Sequence, residues 1–199
     1  MILRKAPIVI TLTVLLVQAT PAYAQQDTTA SEEVVAAALQ QLDQTIYYDP
    51  SYQRLAYPGG DVPLDRGVCT DVVVRALRKA GVDLQVLVHN DMKAAFSAYP
   101  QQWGLTRPDR NIDHRRVPNL MTFFERTNRA LPLSHDPASY RPGDIVAWRL
   151  PNGRLHVGIV SNVYAPDAPR YLMVHNIGAG AKLEDILFAF DVIGHYRYF

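Results

Sequence analysis

The chain has 199 residues, 48% hydrophobic and 20% charged, which suits one globular domain with a real core and excludes a disordered or fibrous chain. A net charge of +1 leaves no basic footprint for nucleic acid. A single cysteine excludes an internal disulfide framework.

Arg4 and Lys5 precede an apolar run from Ala6 to Val17, and Ala22-Tyr23-Ala24 has the small-x-small pattern of a signal peptidase site. The sequence therefore predicts a signal peptide over residues 1–24 and one mature domain over 25–199, periplasmic or secreted. The apolar run is too short for a membrane span, and no membrane partner is expected after cleavage. Losing Arg4 and Lys5 leaves 18 basic against 19 acidic residues, a net charge of −1. In an exported chain, one thiol is a reactive group, an intermolecular link or a buried bystander.

Gln25–Ala30 reads as a polar lead, and Thr29-Ala30-Ser31-Glu32 fits a capping box for a helix to about Tyr47, with Val34, Val35, Ala38, Leu42 and Ile46 as its stripe. Asp49–Pro63 is a loop rich in Pro, Gly and Tyr. A helix then starts near Val68 and stops at Gly81, a residue suited to the left-handed closing position. Cys69, Val72, Val73, Ala76, Leu77 and Ala80 form its apolar face. Asp83 caps a third helix, to about Tyr99. Pro100–Pro118 is irregular and carries the polar cluster Asp109–Arg116. A loop of that length in a compact domain is functional or mobile. Pro118 opens a helix to about Arg129.

After Pro142 the period changes from helical to alternating. Asp144–Leu150 and Arg154–Val163 flank the hairpin signal Asn152-Gly153. Tyr171–Asn176 is a third strand, Leu183–Phe190 a short helix or a strand, and Val192–Tyr198 a closing strand. Helices followed by a strand meander predict an α+β fold, with N-terminal helices packed on a C-terminal antiparallel sheet.

Cys69 sits in the first turn of its helix, where unpaired N–H groups favour a thiolate and can hold an oxyanion. Its bland reading is a small core residue. His156 opens the strand Leu155–Val160 and His175 ends the next one. A thiol nucleophile needs a nearby base and a third polar group to orient that base, and this order can supply both. Otherwise the two are satisfied core histidines. A zinc site would draw on Cys69, His114, His156 and His175, but no pair has a short ligand spacing. We expect no metal and no cofactor.

Pro142-Gly143-Asp144-Ile145-Val146-Ala147-Trp148, His156-Val157-Gly158-Ile159-Val160 and Val174-His175-Asn176 together resemble the catalytic half of NlpC-type, papain-like cysteine peptidases. The resemblance covers about Asp65–Asn176 and implies a papain-like fold, with Cys69 as nucleophile, His156 as base and His175 as orienting residue. The usual Asp-Cys-Ser-Gly is Val68-Cys69-Thr70-Asp71 here. Gly67–Val73, Asn111–Leu120 and Gly194-His195-Tyr196-Arg197 further resemble an exported bacterial family known as DUF1287, a domain of unknown function.

Around these residues, Asn176 competes with His175 for the orienting role. Asp71 serves the first-turn N–H groups or a substrate amine, or pairs with Arg75. His114, Arg115 and Arg116 bind a substrate carboxylate, or pair with Asp109 and Asp113. Tyr57 lines the cleft or packs its loop. His89, His135 and His195 are surface or structural. The implied function is a thiol hydrolase cutting a peptide or amide bond, with peptidoglycan or a peptide as substrate. The alternatives are an inactive binding module of the same fold, or an acyl transferase or deamidase using the same pair.

Overall fold

The computed structural model describes residues 22–199, with side chains from Thr29 onward. The expected signal peptide lies almost wholly outside the described residues.

Helix α1 runs over Ala22–Leu39 and ends in a 3₁₀ turn, Gln40–Asp43. Two expectations are corrected here. Thr29–Glu32 lies inside the helix instead of starting it, and the helix ends before Tyr47. Buried Gln41 accounts for the stop. Its carbonyl takes the N–H groups of Gln44 and Thr45, and its side chain donates to the Val72 carbonyl at 3.0 Å. The β-prone Ile46-Tyr47-Tyr48 is then drawn out as strand β1 (Tyr47–Tyr48), parallel to β2 (Arg66–Gly67). Ile46 is exposed rather than part of the core stripe.

Helix α2 spans Cys69–Lys79. Its end has the expected form: Gly81 sits at φ +83°, Gly81 N–H bonds Arg78, and Val82 N–H bonds Leu77. Val72, Val73 and Val74 are all buried, so packing holds a run that propensity alone would not. Helix α3 (Leu84–Ala95) is capped by Asp83, whose carboxylate accepts the Gln85 N–H. Helix α4 spans Val117–Arg126, with Pro118 in its first turn.

Five strands make one antiparallel sheet: β3 (Ile145–Arg149), β4 (Leu155–Tyr164), β5 (Tyr171–Asn176), β6 (Ala181–Glu184) and β7 (Asp191–Tyr196), in the order β6-β5-β4-β3-β7. The ambiguous stretch Leu183–Phe190 resolves into the end of strand β6 and a following turn. Alternation sorts the side chains. Ile145, Ala147, Val157, Ile159 and Val174 meet Val72, Val73, Ala76, Leu77 and Phe124 in the larger core. Val146, Trp148, Val160 and Met173 meet Tyr140 and Leu187 in a smaller core. Buried Asp144 ties β7 to β3. It takes two bonds from Arg197 at 2.7 Å and contacts His195 Nε2 at 2.8 Å, which gives His195 a structural post.

Candidate active site

Cys69 is the first residue of α2 and is 5% exposed. Its turn is held from three directions. Asp71 reaches back to accept the Val68 N–H at 2.6 Å, the acidic half of a capping box whose other half Val68 cannot supply. The Asp71 carboxylate is gripped by Arg115 through two bonds, 2.8 and 2.9 Å, and Arg115 also donates to the Ser51 and Asp49 carbonyls. Asn176 donates to the Gly67 carbonyl at 3.0 Å.

Sequence roles shift accordingly. Asp71 and Arg115 are given to each other instead of to a ligand, and Arg75 pairs with Asp61 rather than Asp71. Asn176 anchors the chain ahead of the cysteine, while the contact with His156 falls to His175. His114 is buried away from the cleft, its pKa pushed down to about 4 by burial. Tyr57 packs edge-on against His89, with Arg110 over its ring, and does not line the cleft.

That cleft has a volume of about 730 Å³. Cys69 lies in it among Tyr48, Tyr52, Trp103, Arg116, Arg149 and Arg154. Trp103 comes from the irregular stretch after Pro100, and Arg116 stacks over it at 4.0 Å. A second hollow of about 470 Å³ holds His156 and shares Tyr48, Arg154 and Leu155 with the first. Sulfur and imidazole thus approach one rim from two sides.

Burial pushes the Cys69 thiol up to about 12, against the pull of the Val157 N–H. Asp71 adds to the rise, and the N–H groups of Thr70 and Cys69 oppose it. Among the described residues no hydrogen bond joins the sulfur to either imidazole.

His156 stacks on Trp148, the residue it pairs with across β3, and its Nε2 lies 3.1 Å from His175 Nδ1. Burial, and then His175, push His156 down to about 3, so it rests neutral. His156 Nδ1 has no hydrogen-bond partner among the described residues. His175 Nε2 lies 2.9 Å from Glu184 Oε2, within ion-pair reach but off the angle of a hydrogen bond. Burial lowers the pKa of His175, and Glu184 opposes that shift. Nothing in the sequence singled out Glu184. Its only signal is position, on the strand that follows the His175 strand. Among the described residues no three His, Cys, Asp or Glu side chains are grouped to hold a metal ion.

The family profile of a domain of unknown function, DUF1287, matches residues 35–198. A protein of Escherichia coli (strain K12) described as "Uncharacterized protein YijF" is 54% identical over 179 residues, 90% of this chain and 87% of its own length. The structure of NlpC1 from Trichomonas vaginalis aligns over 87% of this chain and 44% of that one, at 16% identity and a TM-score of 0.40.

Proposed function

The chain belongs to the DUF1287 family, and from that premise we propose that it is an exported, NlpC-type thiol hydrolase that cleaves an amide bond of cell-wall peptidoglycan. The observation that carries this reading is a helix-start thiol in a cleft whose lining residues Tyr48, Arg154 and Leu155 also line the hollow of His156, a histidine whose Nε2 meets His175 and whose Nδ1 has no hydrogen-bond partner among the described residues.

The resting pair is neutral, so the proton moves as the bond forms. The Cys69 sulfur adds to the carbonyl carbon, its proton passes to His156 Nδ1, and the carbonyl π pair moves to oxygen. The N–H groups of Cys69 and Thr70 receive that oxyanion. The carbonyl re-forms, the C–N bond breaks, and His156 returns the proton to the departing amine. Water, with His156 again as base, then hydrolyses the thioester and frees the thiol. An amine in place of water would make the same site a transferase. Besides Arg115, which is held by Asp71, the cleft lining carries Arg116, Arg149 and Arg154 and no carboxylate, which suits an acidic peptide such as a peptidoglycan stem.

The test is incubation of residues 25–199 with purified peptidoglycan and mass analysis of the released fragments. Wild type releases fragments with a new carboxyl end, and Cys69→Ala and His156→Ala release none. The double variant is hardly worse than either single one. Full release by Cys69→Ala ends the thiol mechanism. One observation favours a second reading, a binding module: the thiol is almost wholly buried. In that case wild type and Cys69→Ala bind peptidoglycan equally, and neither cuts it.

A further inference from the structure

We infer that Glu184 is a positioning residue that sets the proton arrangement of the histidine pair and so leaves His156 able to take the thiol proton. The inference rests on the thiol-hydrolase reading and adds to the site a residue beyond the Cys-His-His motif.

The argument is one of donors and acceptors. A carboxylate only accepts. Glu184 Oε2 lies 2.9 Å from His175 Nε2, and even off the ideal hydrogen-bond angle a carboxylate that close favours a proton on that nitrogen over a bare lone pair. Burial keeps His175 neutral, and a neutral imidazole has one N–H. Its Nδ1 is therefore bare. His156 Nε2, 3.1 Å away, must then be the donor. His156 is neutral as well, so its Nδ1 is bare, and that is the free nitrogen. Reversing the first tautomer reverses the second and puts a proton where the base must act.

The strands enforce this geometry. Gly158 pairs with His175 across β4 and β5, and a side chain on Gly158 would meet the His175 Cβ at 3.0 Å. His175 pairs with Lys182 on β6, and Glu184 pairs with Met173 two residues along. The titratable groups around His175 are thus His156 on one side, and Lys182 and Glu184 on the other. The Glu184 side chain is 48% exposed, so it can be changed without opening the core.

The experiment combines long-range ¹H–¹⁵N spectra of the imidazoles with kinetics on peptidoglycan, for wild type, Glu184→Ala and Glu184→Gln. Wild type is expected to hold His156 and His175 both in the Nε2–H form. Glu184→Ala is expected to show a mixture with Nδ1–H forms, and a kcat lower on the order of tenfold at little change in KM. Glu184→Gln keeps an acceptor oxygen and retains more of both. Unchanged tautomers in Glu184→Ala overturn the inference, whatever the rate does. Absence of turnover in wild type instead overturns the hydrolase reading, and the spectra still decide whether Glu184 sets the tautomers.

Discussion

Replacing Arg115 by Met removes one half of a buried ion pair. The Arg115 and Asp71 side chains are 2% and 4% exposed, so water screens neither charge. The variant leaves the Asp71 carboxylate with the Val68 N–H as its remaining bond and frees the Ser51 and Asp49 carbonyls from their donor. Breaking a buried pair from one side costs about 3–5 kcal/mol. With an m-value of ~2 kcal/mol/M, that lowers the urea midpoint by roughly 1.5–2.5 M. Far-UV circular dichroism in urea measures it. Asp71→Asn is the companion, because its amide oxygen still accepts from Val68 while Arg115 loses its counter-charge. The double variant is expected to recover part of the loss, since no unpaired charge remains. A midpoint for Arg115→Met within about 0.25 M of wild type, which is ~0.5 kcal/mol at that m-value, would refute the claim that this pair holds the cysteine turn.

Gly158→Ala brings a Cβ to 2.9 Å from the Val174 carbonyl oxygen and 3.2 Å from the Trp148 ring; a loss of about 1–3 kcal/mol is expected, and unchanged thermal unfolding would contradict it. His114 and His156 are lowered to about 4 and about 3 from 6.5, mainly by burial. Their unfolded forms bind protons first, so their contribution is full above pH 6.5 and is lost as pH falls toward 4 and 3. Asp113, raised to about 6 by burial, acts the other way: its contribution is full below its unfolded value and is lost as pH rises through 6. Urea midpoints at pH 7 and 5, with His114→Gln as control, report the balance; a His114→Gln slope equal to wild type would dismiss its share. Because burial raises the Cys69 thiol, iodoacetamide is expected to label the substrate-free protein more slowly than a model thiol near pH 7; faster labelling below pH 7 would mean a thiolate–imidazolium pair instead.

The elements that position the site were legible because each rests on local patterning. Gly81 closes α2 where a left-handed residue was required, and the Asn152-Gly153 hairpin signal leads into β4, whose second residue is His156. The irregular stretch after Pro100 was visible as such, and its Trp103 lines the cleft. Other features depend on contacts between distant segments, which periodicity does not encode. The early end of α1 comes from Gln41 bonding Val72, 31 residues on. The Asp71–Arg115 pair displaced a nearer partner that helical spacing favoured, because Arg115 meets the carboxylate with two N–H groups while buried Arg75 is taken up by Asp61. Glu184 had no motif, and only the pairing of β5 with β6 brings it to His175.

The anchors of the cysteine turn also govern when the site comes into being. Arg115 reaches Asp71 across 44 positions, and Asn176 reaches Gly67 across 109. Such closures form late, because the chain entropy of a long loop must be lost before the contact returns anything. A chain made from its N-terminus has Cys69 early and its last anchor only once Asn176 has appeared. Until then the turn lacks its Asn176 anchor and His156 lacks its contact with His175. The Cys69, His156 and His175 grouping is therefore complete only with the C-terminal sheet, and a fragment ending before β5 would carry the sulfur without His175 or the Asn176 anchor.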